Sequence, residues 1–183
     1  MSALDWTISV EDVLLKRRLI LNGIFEADYI DAPNARCRVV EPIQVKIVVV
    51  AARDGIAVGG YARTVIEHPC DRCLKPVLLP INGTIEALYK PVSQMPTSEE
   101  EELNSLRNVL YYDSDQIDLT DRIIEAIVVD IPMKVLCSEN CKGLCPYCGA
   151  DLNEEENHRC VEQDFDPRWK KLFLVKQNLT KEG

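Results

Sequence analysis

The residues that most constrain this chain run from Cys137 to Cys160, CSENCKGLCPYCGADLNEEENHRC. Five cysteines and one histidine fall there, spaced Cys137-x3-Cys141-x3-Cys145-x2-Cys148, then His158-x-Cys160. Cys145-Pro146-Tyr147-Cys148-Gly149 has the form of a metal-binding knuckle. In such a turn two sulfurs converge on one ion, backbone N–H groups back them, and glycine supplies the freedom the turn needs. A second Cys-x2-Cys, Cys70-Asp71-Arg72-Cys73, stands far upstream. A fold that gathers these ligands must bring the middle of the chain to its last third.

The chain holds eight cysteines, and an even number also fits disulfides. Its opening, Met1-Ser2-Ala3-Leu4-Asp5-Trp6, is neither basic nor followed by an apolar run. No secretory leader is expected, and a cytoplasmic setting is. Thiols stay reduced there, which favours metal over disulfides. A thioredoxin-like role for Cys70 and Cys73 needs a strand-to-helix junction, whereas this pair lies between two strand-like runs.

Tetrahedral zinc takes four nitrogen or sulfur ligands. Two groupings meet this rule. The first joins Cys70, Cys73, Cys145 and Cys148 on one ion and leaves the other clustered ligands idle. The second makes two sites, Cys70, Cys73, Cys137 and Cys141 in one, Cys145, Cys148, His158 and Cys160 in the other. It uses every clustered ligand once and is preferred. Cys37 stays outside both, as a small buried apolar residue. Closing the chain between Cys73 and Cys137 costs roughly 4 kcal/mol of entropy. Structural zinc binding, on the order of 10–16 kcal/mol, offsets that cost. Four protein ligands leave no position for water, so two structural Zn2+ ions are expected and no catalytic metal. The chain also has no phosphate loop, no Ser-His-Asp arrangement and only two histidines, so no enzymatic activity and no small-molecule substrate are expected. His68, next to Pro69-Cys70, is read as structural. A thiol redox or metal-handling protein is the alternative.

With 183 residues and 46% hydrophobic content, the chain suits one domain over 1–183, with a metal-binding segment at 133–162. No apolar run reaches the length of a membrane span. The formal charge is −9 and is unevenly placed: eight acids and one base lie between residues 99 and 121. The rest is close to neutral, so charge neither predicts RNA contact nor excludes it. Residues 91–108 hold Pro91, Pro96, Ser93, Thr97, Ser98 and Glu99–Glu102 and read as a flexible acidic loop. Its sharper reading is an acidic partner-binding segment. The oligomeric state is not legible.

The fold class expected is α+β, a mostly antiparallel sheet or partial barrel packed by one helix. Ile8 and Val10 alternate like a strand, and Asn22-Gly23 signals a turn. Ile43, Val45, Ile47 and Val49 alternate with polar residues, giving a one-faced strand. Asp54-Gly55 is a hairpin turn, and Gly59-Gly60 suggests a bulge or bend in the return strand Ile56–Glu67. Cys70–Cys73 then forms the turn to a third run, Val77–Tyr89. The clearest helix is 118–131, with an apolar stripe at Ile123, Ile124, Ile127, Val128 and Ile131. Asp118, Thr120 and Asp121 suit its start, and Pro132 ends it. A short C-terminal helix is expected from Asp166-Pro167.

These residues resemble the YceD family, the large ribosomal RNA subunit accumulation proteins. The resemblance rests on Cys70-Asp-Arg-Cys73 after a strand pair, Asp118-Leu-Thr-Asp121 opening a helix and Ile131-Pro132 ending it. It rests further on Cys141-Lys-Gly-Leu-Cys145-Pro-Tyr-Cys148-Gly, Leu152-Asn153 and Asp166-Pro-Arg-Trp169. Many relatives end the cluster with Cys-x-Cys where this chain has His158-x-Cys160. The resemblance implies a part in accumulation of 23S-type ribosomal RNA, hence in large-subunit assembly or rRNA processing. The implied partner is precursor large-subunit rRNA or a ribosomal protein, met through basic residues such as Arg72, Lys75, Lys142, Arg168, Lys170 and Lys171; the alternative is a protein-interaction module whose acidic stretch 99–121 meets a basic ribosomal protein.

Overall fold

The computed structural model describes residues 6–96, 108–155 and 157–159. Cys160, the acidic run Glu99–Glu102 and the helix expected from Asp166 lie outside them.

The alternation in β5 (Ile43–Ala52) sends Ile43, Val45, Ile47 and Val49 inward, each almost fully buried, and Gln44 and Lys46 outward. One edge of β5 pairs with β2 (Arg18–Phe25), in register from Arg18↔Val50 to Phe25↔Ile43. The other pairs with β6 (Gly55–Pro69). β6 continues past the end of β5, and the same edge then meets β4 (Arg36–Val39) at Arg38↔Glu67 and Val39↔Ile66. β4 forms a hairpin with β3 (Tyr29–Asp31). On its opposite edge β6 pairs with β7 (Pro76–Pro91), from Ile56↔Tyr89 to Pro69↔Pro76. β8 (Val109–Tyr112) adds to β7 in parallel, which among the described residues is the one parallel pairing in a seven-stranded open sheet. A second small sheet joins β1 (Thr7–Ser9) to β9 (Gln116–Asp118), with α1 (Val10–Lys16) between β1 and β2.

α2 (Thr120–Asp130) covers the inner face with Ile123, Ala126 and Ile127. It sits so close to β7 that a Cβ at Gly83 would run into the backbone of Ala126, so only glycine fits there. The Asp118 carboxylate accepts from the Thr120 N–H at 2.8 Å and supplies the start that the sequence suggests. Ile131 is already extended, as a residue before proline prefers. The α+β expectation therefore describes the molecule, with the helix two residues shorter at its N-terminus.

Several local expectations do not hold. Asn22-Gly23 is not a turn but the middle of β2, opposite Lys46 and Val45. Eight consecutive cross-strand pairs along β5 outweigh the local turn preference. Gly59-Gly60 makes no bulge, since both residues stay in unbroken register with β5 and β7. A Cβ at Gly60 would strike the Lys46 carbonyl, so close strand approach explains the glycine. The two-residue loop of the β5–β6 hairpin is Arg53-Asp54, and Gly55 already belongs to β6. Val10 opens α1, with the Ser9 hydroxyl accepting from the Asp12 N–H, rather than ending a strand. Cys37 is fully buried in the main core, where burial pushes its thiol up.

Candidate metal centre

β6 and β7 run beyond the core to a tip, and the tip is a knuckle. The Cys70 N–H donates to the Lys75 carbonyl at 2.8 Å and the Leu74 N–H to the Cys70 carbonyl at 2.9 Å. Leu74 takes the left-handed conformation, φ 61°. The same turn is built at Cys145: its N–H donates to the Ala150 carbonyl at 2.8 Å, and the Gly149 N–H to the Cys145 carbonyl at 2.9 Å. Gly149, φ 77°, stands where Leu74 stands in the first knuckle.

After α2 the chain is laid along the tip by a reciprocal pair of bonds. The Asp71 N–H donates to the Val135 carbonyl at 2.8 Å, and the Val135 N–H to the Asp71 carboxylate at 2.6 Å. Cys137 and Cys141 thereby face Cys70 and Cys73. The Cys70–Cys141 sulfurs are 3.8 Å apart and the Cys73–Cys137 sulfurs 3.5 Å, and all four lie within 4.8 Å of one another. A tetrahedron with metal–sulfur bonds of about 2.3 Å has sulfur–sulfur edges of about 3.8 Å. The donor set therefore fits a metal ion in type, number and spacing. Burial pushes the Cys70 thiol up, but N–H groups of Cys73, Arg72 and Cys137 outweigh it and bring it to about 6. Cys73 is pushed up to about 12: the Lys75 N–H lowers it, but burial and the sulfurs of Cys137, Cys70 and Cys141 prevail. Neighbouring thiolates repel one another, and a cation sharing the site would ease their joint ionisation.

The second group comprises Cys145, Cys148 and His158, again within 4.8 Å. His158 Nε2 lies 3.3 Å from the Cys148 sulfur, and His158 Nδ1 donates to the Glu155 carboxylate at 2.6 Å. That bond fixes the ring with Nε2 toward the sulfurs and pushes the imidazole up to about 9. N–H groups of Cys148 and Tyr147 bring the Cys145 thiol down to about 6. Each group can hold a metal ion. The four sulfurs of the single-ion grouping, Cys70, Cys73, Cys145 and Cys148, are divided between the two groups.

Polar contacts tie the second knuckle to the first. Arg72 Nη1 donates to the Cys141 carbonyl at 2.6 Å, and the Leu144 N–H to the Arg72 carbonyl at 3.2 Å. Lys75 Nζ lies 2.8 Å from Asp151 and 2.7 Å from Glu154. The Asn153 side chain accepts from the Lys142 N–H at 2.7 Å and donates to the Cys141 sulfur at 3.6 Å. Sequence reasoning names Arg72 and Lys75 as surface cations but misses these internal bonds. It also misses Asp71 and Glu155 as supports. The acid three residues before His158 is the signal that finds Glu155.

The molecule is thus an antiparallel sheet whose longest hairpin ends in a four-sulfur cluster, with candidate metal centres at that end. Residues 58–175 match the model of the family described as large ribosomal RNA subunit accumulation protein YceD, and the chain belongs to that family. It is 33% identical over 119 residues to an uncharacterised protein of Mycobacterium tuberculosis, covering 65% of this chain and 55% of that one. Two plant proteins, each called large ribosomal RNA subunit accumulation protein YCED homolog 1, chloroplastic, also match. The Zea mays protein is 28% identical over 154 residues, covering 72% of this chain and 52% of that one. The Arabidopsis thaliana protein is 24% identical over 202 residues, covering 94% and 59%. The chain thus spans little more than half the length of these relatives. No solved structure matches it. Among the described residues no helix is long and apolar enough to cross a membrane.

Proposed function

We propose that this protein is a non-enzymatic, cytoplasmic factor that supports accumulation of 23S-type rRNA, in large-subunit assembly or rRNA processing. Family membership over residues 58–175 is the observation that carries this reading. The proposed partner is precursor rRNA or a ribosomal protein. The proposal includes two structural Zn2+ ions. Cys70, Cys73, Cys137 and Cys141 hold one, and Cys145, Cys148, His158 and Cys160 the other. Closed sets of four protein ligands leave no position for a substrate, which supports a structural role. In this reading the ions fasten the 133–162 segment to the hairpin tip of one domain. Arg72 and Lys75 are engaged in internal bonds, which favours a protein partner over phosphate at this end.

Depleting the protein in its own cells tests the function. The 23S to 16S ratio falls and is restored by the intact chain; an unchanged ratio overturns the proposal. Metal analysis of the purified chain tests the ligand sets. About two zinc per chain is expected from the ligand count. A value near one supports the single-ion grouping instead.

A further inference from the structure

Beside the first knuckle lies a cavity of about 270 Å³ between the β3–β4 turn and the end of α2. It is lined in part by His68, Asp71, Val128, Ile131, Pro132 and Met133. His68 is 4% exposed, and its Nδ1 donates to the Pro69 carbonyl at 2.7 Å. Nε2 therefore keeps its lone pair. Among the described residues Nε2 makes no hydrogen bond, and the His68 ring lines the cavity. Asp71 adds a second acceptor: one carboxylate oxygen holds the Val135 N–H, and among the described residues the other carries no hydrogen bond or ion pair. Among the described residues no lysine or arginine lines the cavity. Its rim is apolar, and Met133 is 99% exposed.

We propose that this cavity receives an arginine side chain from a basic segment of a protein partner. Two acceptors without a facing cation select a donor-rich, positively charged group. The volume falls below the range of about 300–1,000 Å³ usual for small-molecule sites, which suits one side chain rather than a cofactor. Ile131 and Pro132 flank the methylene stem, and Met133 adapts to it, as exposed methionines do at binding surfaces. The identity of the partner as a ribosomal protein rests on the function proposed above; the cavity chemistry does not.

The test is an NMR titration of the full chain with the peptide acetyl-Gly-Ala-Arg-Ala-Gly-amide and with its citrulline counterpart. The arginine peptide shifts His68 Nε2 and the Met133 methyl saturably. Citrulline keeps the shape without the charge and binds about tenfold more weakly. Met133→Ser, at a fully exposed position, weakens binding several-fold without altering the fold, and Asp71→Asn weakens it about tenfold. Equal binding of the two peptides overturns the proposal, as does the absence of any shift at these two residues. So does a short oligoribonucleotide that shifts them while the peptide does not. The rRNA ratio in depleted cells is read separately, so either proposal can fail alone.

Discussion

The two knuckles share a backbone but not an environment. At the hairpin tip Cys70 and Cys73 are buried, and Cys141 joins them with 1% exposure. At the second, Cys145 is buried while Cys148 is exposed. The first turn tolerates Leu74 in a left-handed conformation that glycine occupies in the second. Such a conformation costs a non-glycine residue about 1–2 kcal/mol, so the surroundings of the first knuckle must hold it in place. Those surroundings are visible: β6 and β7 on one side, and on the other the Asp71–Val135 and Arg72–Cys141 bonds. The second knuckle carries its fold in its own sequence, whereas the first borrows it from the sheet and the returning chain.

Removing one sulfur from each knuckle separates them most strongly. Cys70→Ser should release one zinc per chain and lower Tm by about 10 °C, because the tip loses its closure to distant sequence. Cys148→Ser should also release one zinc but lower Tm by only about 2–4 °C. Thermal unfolding with metal analysis reads both, and equal losses would abolish the distinction. Exchanging the left-handed residues is a smaller probe. Leu74→Gly should stabilise by about 0.5–1 kcal/mol, since relief of strain exceeds the added freedom of the unfolded chain. Gly149→Leu should destabilise by about 1–2 kcal/mol, and urea midpoints measure each change. The weakest effect concerns the ion pair between the knuckles. Lys75 beside it, then the Asn153 N–H, hold the Asp151 carboxyl down at about 2. A depressed carboxyl contributes stability above its unfolded value of about 3.9 and loses it as pH falls toward 2. Lys75→Met should therefore lower the urea midpoint slightly at pH 5, and the gap from the unmodified chain should close near pH 2.

Much of this contrast was legible before any coordinates. Strand β5 announces itself through period-2 alternation, β6 and β7 as strand-like runs beside turn signals, and α2 through the spacing of Ile123 and Ile127. The Cys70–Cys73 turn between two strands could be placed because both flanking runs are long. What failed was local. Asn22-Gly23 has the chemistry of a turn, but the turn preference is weaker than a full ladder against β5. The parallel pairing of Leu88 with Val109 leaves no local mark, since it depends on where distant chain returns. Counting ligands gave two sets, and the described sulfurs fall into two such groups, with Cys160 outside the described residues. The supports did not follow from that count, because Asp71 and Asn153 look like ordinary turn residues until the segments they join are brought together.

One strand, β6, answers to two neighbours along a single edge. Residues 55–63 form nine pairs with β5, but only Ile66 and Glu67 pair with β4. At the changeover Val40 and Glu41 both donate to the Val65 carbonyl, and the Thr64 hydroxyl donates to Glu41. The hairpin therefore keeps two clocks. Amide protons around Val58 should exchange with solvent more slowly than those around Glu67, where the outer half has the shorter pairing with its second neighbour. Whatever loosens or fastens the sulfur-bearing end is registered by the second clock and leaves the first unchanged.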